Sequence, residues 1–278
     1  TEAASDMAIG AARLAVENAK ISAEELDLIL VCTCTPDMMF PSVACLVQSA
    51  LGANKAGAMD ISAACSGFVY GLATAKSFIE SGQAKKILLI GVDTLSKITN
   101  WTDRATCVLF GDGAGACVIS ASEGDAGILS VYIGADGGKS GILNVPAGGS
   151  RCPTSPEVLA NKSNTIHMDG AEVYKLAVNK MVEASEKALE IAGFKTTDLK
   201  LFIPHQANLR IIESVAKRLH APADIVFVNL QKYGNMSAAT TIIALDEAQR
   251  GGRIKSGDLV ELVAFGAGLT WGAAVVRW

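Results

Sequence analysis

Short apolar runs without a polar interruption alternate along this chain with longer segments in which apolar residues recur at helical spacing. Leu28-Ile-Leu-Val-Cys32 and Ile87-Leu-Leu-Ile-Gly-Val92 are of the first kind. A strand that is apolar at every position needs both faces covered, as in a parallel-rich sheet packed between helices. Met7, Ala11, Leu14 and Ala15 are of the second kind and predict a helix over residues 7–19. Ser42, after Pro36 and Pro41, reads as the N-cap of a helix running to Leu51. Residues 58–64 read as a buried strand that turns directly into a helix over 66–81, and 110–119 as a glycine-rich turn into a strand.

The second half repeats this order. A helix over 173–192 precedes a strand at 199–203, a helix over 209–219 precedes a strand at 225–229, and a helix over 237–249 precedes a strand at 259–265. The glycine-rich Gly266-Ala-Gly-Leu-Thr-Trp-Gly272 follows. Leu26 to Cys65 spans 39 residues and Leu199 to Ser237 spans 38, while Cys65 to Ile87 and Ser237 to Leu259 both span 22. Two such units imply a duplicated α/β fold, with one half over residues 1–127 and the other over 128–278. Strand-like segments at 128–133 and 142–145 precede the first helix of the second half. The first half opens almost directly on a helix, so it is expected to lack one strand.

Composition narrows the class of molecule. Half of the 278 residues are hydrophobic and 19% are charged, which suits an enzyme with buried sheets. A net charge of −4 gives no ground to expect nucleic acid or an anionic membrane as partner. Seven cysteines, an odd number lying mostly in apolar runs, point to reduced thiols in a cytoplasmic compartment. Cys32-Thr-Cys34 lacks the gap of a redox or zinc knuckle, and no metal site is expected. The longest uncharged runs, 38–54 and 262–276, are broken by Pro41, Gln48 and Gly52 in one and by glycines in the other, and are too short to cross a bilayer comfortably. With no signal-like segment at the start, a soluble intracellular protein is expected.

Candidate chemistry centres on Cys65. It sits on the corner between the second predicted strand and its helix, where free N–H groups and the helix dipole favour thiolate over thiol. Ser62, Ala63, Ala64, Ser66 and Gly67 around it are small and leave room for a substrate carbonyl. Only three histidines exist. His220 reads as a solvated residue at a helix end and His167 as a structural strand residue. His205 ends the apolar strand Leu201-Phe-Ile-Pro204 at the position equivalent to Cys32, and carboxyl ends of parallel strands are where such sheets place ligands. Asn235, in Tyr233-Gly-Asn-Met-Ser-Ala-Ala239, fits a turn or N-cap residue. The duplication also sets it on a corner pseudo-symmetric to that of Cys65, so Cys65, His205 and Asn235 are candidates for one shared pocket. Gly134-Ala-Asp-Gly-Gly-Lys-Ser140 departs from a phosphate loop at Ile133, and Gly111-Asp-Gly-Ala-Gly115 lacks dinucleotide spacing, so no nucleotide cofactor is expected.

Several long motifs in order resemble the 3-oxoacyl-[acyl-carrier-protein] synthase III branch of the thiolase-like superfamily. They are Phe40-Pro-Ser-Val-Ala-Cys-Leu-Val-Gln48, Ala63-Ala-Cys65-Ser-Gly-Phe68, Leu109-Phe-Gly-Asp-Gly-Ala-Gly115, Met168-Asp-Gly-Ala-Glu-Val-Tyr174, Pro204-His-Gln-Ala-Asn-Leu-Arg210, Tyr233 to Ala239, and Phe265-Gly-Ala-Gly-Leu-Thr-Trp-Gly272. The resemblance implies a thiolase-like, five-layered αβαβα architecture and a cytoplasmic homodimer. It implies decarboxylating condensation of a short acyl-CoA with malonyl-acyl-carrier protein at the start of type II fatty acid synthesis. Cys65 would be the acylated nucleophile and His205 with Asn235 the decarboxylation pair, with the backbone N–H groups of Cys65 and Ala267 as oxyanion hole. The family has glycine where Ala267 stands. Arg104, Gly170, Asn208 and Arg210 would contact CoA or phosphopantetheine, which arrives as substrate, with no resident cofactor.

By the same resemblance, Phe40 would cross the dimer interface to close the partner's acyl pocket. Tyr174, where the family usually has phenylalanine, would line that pocket; Met236 replaces a usual threonine. Arg210, Lys217 and Arg218 would dock the acidic carrier protein, although their charge spacing alone fits a solvated cationic face equally well. The amino-terminal stretch that supplies an aromatic and an arginine to the family's CoA adenine site has no counterpart in this sequence. Three other readings fit some of the residues. One is a sibling synthase of polyketide or quinolone biosynthesis. Another is a cysteine peptidase with Cys, His and Asn in this order, against which the duplicated halves argue. The third is a non-catalytic acyl-CoA or carrier-binding module that would tolerate loss of Cys65.

Overall fold

The computed structural model describes residues 2–278. β1 (Leu28–Cys32) is buried at every position, as its apolar run predicts. Leu28, Leu30 and Cys32 enter one core while Ile29 and Val31 enter another on the opposite face. β1 pairs in parallel with β2 (Gly57–Ile61) and with β3 (Lys86–Thr94), and β3 pairs antiparallel with β4 (Asp112–Ser120). The sheet order is β2-β1-β3-β4. α1 (Ala4–Ala19) and α2 (Val43–Leu51) cover its outer face; Ser42 caps α2, accepting from Cys45 N at 3.2 Å.

The second sheet is made of β5 (Gly127–Ala135), β8 (Leu201–Pro204), β9 (Leu259–Gly266) and β10 (Thr270–Arg277), in the order β5-β10-β9-β8. β8 and β9 are parallel, and the other pairs antiparallel. A small ladder of β6 (Leu143–Asn144) and β7 (His167–Met168), preceded by a 3-10 helix over Gly137–Ile142 and with the short α4 (Pro156–Asn161) between its strands, lies outside both sheets. α5 (Gly170–Ala192) and α6 (Leu209–Arg218) cover the outer face of the second sheet. After the single-turn α7 (Leu230–Tyr233) comes α8 (Ala239–Arg250), which with α3 (Gly67–Glu80) fills the space between the sheets. The layers run helix, sheet, helix, sheet, helix, the thiolase-like arrangement, with three cores between them.

The duplication is visible as matched register. Leu28 lies opposite Ile87 in the first sheet as Leu201 lies opposite Val260 in the second. β4 matches β10, but β10 is flanked by β5, whereas the outer edge of β4 has no strand among the described residues. Three expectations need correction. β2 stops at Ile61 and is half exposed, because it is an edge strand; the chain then passes through a 3-10 turn, Ala64–Ser66, before α3 starts. Residues 225–229 form no strand: Ile225 O and Phe227 N bond Phe202, leaving a single bridge from Phe202 to Val226. The glycines of 111–115 are mostly within β4 rather than in a turn, since a Cβ on Gly115 would lie 2.8 Å from the Ile242 side chain of α8.

Glu261 breaks the pattern of β9. It is fully buried on the face that carries Leu259, Val263 and Phe265, and neither carboxyl oxygen has a hydrogen-bond partner. Ser185 of α5 stands near enough to soften its ionisation without closing a bond, and burial pushes the carboxyl up to about 8. Below about pH 4.5 the folded and unfolded chains both hold it neutral; from there to about 8 only the unfolded chain ionises. Stability should therefore fall by about 1.4 kcal/mol per pH unit across that window, on the order of 5 kcal/mol in all. Glu261→Leu should remove this slope and raise the urea midpoint at pH 8, whereas an equal slope in both proteins would show that Glu261 does not titrate this way.

Candidate active site

Gly266, at the end of β9, brings the two halves together. A Cβ there would lie 2.6 Å from the backbone nitrogen of Cys65, so a side chain would force the second sheet away from the corner that carries the thiol. Ser66 Oγ donates to Thr270 O at 3.0 Å, and Thr270 Oγ1 lies 2.9 Å from Ala63 O, which fixes that corner against β10. Ala64, immediately before Cys65, has φ of +45°, a left-handed conformation held by these contacts. On the opposite side, buried Asp93 at the end of β3 accepts from Thr33 Oγ1 at 3.0 Å, Cys34 N at 2.8 Å and Ala238 N at 3.2 Å. One carboxylate thus joins the ends of β1 and β3 to the start of α8.

Between these ties lies a cavity of about 1050 Å³ lined by Cys65, His205 and Asn235 together with Ala267, Asn208 and Tyr174. The Cys65 thiol is pushed up to about 12, chiefly by burial, with Asp93 adding to this and the Ser237 hydroxyl and the Cys65 N–H opposing it. The expected stabilisation of a thiolate by a helix terminus is therefore outweighed. His205 follows β8, its N–H bonded to Val263 O at 2.7 Å, and burial pushes its imidazole down to about 4. Both shifts oppose transfer of the Cys65 proton onto His205 before a substrate binds. The pair rests as thiol and neutral imidazole.

Asn235 is oriented by its neighbour. Its Oδ1 accepts from Ser237 N at 2.8 Å, which leaves the amide NH2 as the free face of the side chain. The turn-residue expectation and the pocket expectation both hold for it. The loop carrying His205 is pinned by Gln206, whose Nε2 donates to Pro204 O at 2.7 Å and whose Oε1 accepts from Asn229 N at 3.0 Å.

The remaining sequence candidates divide. Gly170, Asn208 and Arg210 line the cavity; Asn208 also caps α6, accepting from Arg210 N at 2.9 Å. Arg104 is exposed beside the lining residue Ala105 and does not itself line the cavity. Tyr174 lines it, with its hydroxyl 2.7 Å from Ser214 Oγ. Phe40 does not: it is 82% exposed, next to Met39 and Met38 at 78% and 49%. Met39 borders a second, smaller hollow with Thr33, Asp60 and Cys34, and Cys34 also lines the main cavity. Arg210, Lys217 and Arg218 are exposed on α6, with Arg218 bonded to Asn179 at 2.5 Å, while Ile211, Ile212, Val215 and Ala216 face inward. His167 and His220 are exposed and outside the cavity lining.

Three polar residues of the site were not singled out from sequence. They are Ser237, whose hydroxyl acts on Cys65 and lies 3.9 Å from Cys34 Sγ, Thr240 beside His205, and Asp93. Ser237 had a signal, because the repeat spacing aligns it with Cys65. Among the described residues no helix is long and apolar enough to cross a membrane.

Comparison with known proteins gives a consistent picture. Residues 59–137 match the family model 3-oxoacyl-[acyl-carrier-protein (ACP)] synthase III, and residues 189–278 match the model of its C-terminal part. The chain is 54% identical over 278 residues to the beta-ketoacyl-[acyl-carrier-protein] synthase III of Caldanaerobacter subterraneus subsp. tengcongensis, covering all of this chain and 84% of that protein. The crystal structure of 3-oxoacyl-[acyl-carrier-protein] synthase III from Aquifex aeolicus superposes with a TM-score of 0.93 at 48% identity, over 100% of this chain and 85% of that one. A priming beta-ketosynthase of a polyketide pathway is also similar, with a TM-score of 0.90, but at 34% identity over 99% of this chain and 82% of its own.

Proposed function

The chain belongs to the 3-oxoacyl-[acyl-carrier-protein] synthase III family, and from that membership we propose that it condenses a short acyl-CoA with malonyl-acyl-carrier protein through an acyl-Cys65 intermediate, initiating type II fatty acid synthesis. The observation that carries the reading is the convergence of Cys65, His205 and an oriented Asn235 amide on one cavity, and burial, which favours the neutral thiol and imidazole, supports it. A thiolate–imidazolium pair would suit a peptidase. Here the imidazole stays neutral and is free to donate a hydrogen bond.

In the first half-reaction Cys65 sulfur attacks the acyl-CoA carbonyl, the C–S bond to CoA breaks, and the thiol proton leaves with CoA as its free thiol. The Ser237 hydroxyl stabilises the sulfur as it loses that proton. The N–H groups of Cys65 and Ala267, both on the cavity wall, hold the tetrahedral oxyanion. In the second, malonyl-carrier protein loses CO2, and the electron pair of that C–C bond forms an enolate. Its oxygen accepts from His205 and from the Asn235 NH2. The enolate carbon attacks the acyl group and expels Cys65 sulfur as thiolate, giving the 3-oxoacyl-carrier protein, and the thiolate takes one proton from solvent to return to the resting thiol.

The largely apolar lining suits the pantetheine arm and a short acyl chain, with CoA as substrate and no cofactor resident in the site. Arg210, Lys217 and Arg218 offer a cationic face to an acidic carrier. The exposed Met38-Met-Phe40 edge supports a homodimer in which Phe40 reaches the partner's pocket. Incubation with acetyl-CoA and malonyl-carrier protein should give 3-oxobutanoyl-carrier protein with one CO2 and one free CoA per turnover. Product formation only with a non-carrier second substrate would place the chain with the sibling synthases instead.

A further inference from the structure

His205 touches a second buried side chain besides its backbone partners. Thr240, in the first turn of α8, is completely buried, and its Oγ1 lies 2.6 Å from His205 Nδ1. The same oxygen is 3.0 Å from Ser237 O. A threonine in a first turn commonly back-bonds such a carbonyl, and that alone would be a helix-end detail. The short contact to the imidazole is not explained by it.

One hydroxyl proton faces two acceptors, and a neutral imidazole carries one proton on one of its two nitrogens. If the hydroxyl serves Ser237 O, His205 must carry its proton on Nδ1 and present a bare Nε2. If the hydroxyl serves Nδ1, the ring proton sits on Nε2. At 2.6 Å either partner can be the donor, and the tautomer decides which. A ring that donates to the enolate from Nε2 carries its one proton there, so Nδ1 must accept, and the Thr240 hydroxyl is the donor it meets. Because burial holds the ring neutral down to about pH 4, the tautomer rather than the charge decides what Nε2 offers.

We propose that Thr240 is a positioning residue for the condensation, its hydroxyl donating to His205 Nδ1 so that Nε2–H is held as a hydrogen-bond donor toward the reacting thioester oxygen. This rests on the reading of His205 as one of the two enolate donors. The β-branch of Thr240 restricts its χ1 to two rotamers in a helix, and complete burial leaves little room for change beyond a turn of the hydroxyl hydrogen.

The adjacent Thr241 supplies a control. It is equally buried, and its hydroxyl has no hydrogen-bond partner. The test is the ¹⁵N spectrum of imidazole-labelled protein, with His205 signals identified by their loss in His205→Asn, together with single-turnover condensation from pre-acylated enzyme. The wild type and Thr240→Ser should show Nε2–H with an acceptor-bonded Nδ1 and similar rates. Thr240→Val, or Thr240→Ala where valine disturbs folding, should lose the fixed tautomer and slow condensation by about 10- to 100-fold, the scale for groups that orient a working imidazole. Thr241→Val should do neither.

An Nδ1–H tautomer in the wild type, a full rate in Thr240→Val, or an equal loss in Thr241→Val would overturn the proposal. If His205→Asn itself condenses at the full rate, the donor reading of His205 falls and the proposal with it. A dead His205→Asn beside a fully active Thr240→Val removes Thr240 alone.

Discussion

Cys65→Ala is expected to lower condensation by at least about 10,000-fold while malonyl-carrier protein is still decarboxylated. The split follows from where the groups sit. Cys65 stands on the corner after β2, fixed by Ser66, Thr270 and the close approach of Gly266. His205 and Asn235 come from the other half of the molecule and are held by Val263, Gln206 and Ser237. Removing the sulfur leaves that second set intact, so loss of CO2 continues with no acyl group to receive the carbanion. The check is CO2 release and 3-oxoacyl product measured on the same samples. Equal loss of both would mean that Cys65 also takes part in decarboxylation, and full product formation would return the chain to a binding role.

Asn235→Asp is expected to slow condensation by about 100- to 1,000-fold with acylation of Cys65 unchanged. Aspartate keeps the oxygen that accepts from Ser237 N, and so preserves the turn on which Ser237 holds its left-handed φ of +50°. It removes the NH2 donor and places a negative charge where the enolate oxygen forms. Asn235→Ala loses both interactions and tests the donor less cleanly. Stopped-flow measurement of CoA release, followed by condensation from the pre-acylated enzyme, separates the two half-reactions. Slowing of CoA release by the same factor would assign Asn235 to the fold of the corner rather than to the enolate.

Sequence patterning recovered most of the frame because this architecture buries both faces of its central strands. β1 and β3 are apolar runs for that reason, β9 is one interrupted only by Glu261, and the cap of α2 is an ordinary side-chain signal. It failed where packing rather than periodicity decides. β10 includes Gly272, required by close approach to Tyr132 of β5 and Val69 of α3, followed by Ala273 and Ala274, and its apolar run was not singled out as a strand. β2 carries apolar residues yet lies on an edge, and 225–229 has strand-like residues with one bridge to support them.

At the site, the convergence of Cys65, His205 and Asn235 on one cavity was legible from strand ends and the repeat. Their ionisation was not. A helix terminus favours a thiolate, but burial pushes the thiol the other way, and the corner that carries it is held by Gly266 and Thr270, some two hundred residues away. Thr240 carried no sequence signal, since a threonine in a first helical turn is commonplace. Phe40, read as a pocket residue from its family likeness, lies on the surface of a single chain and could close a pocket only across an interface.

The acyl-Cys65 intermediate is the claim on which the rest depends. Its most direct test is the intact mass of the protein after incubation with acetyl-CoA, run beside Cys65→Ser. The account predicts a gain of one acetyl group that is discharged on adding malonyl-carrier protein and is absent from the variant. An acetyl group that persists in Cys65→Ser, or one that malonyl-carrier protein does not discharge, would contradict it.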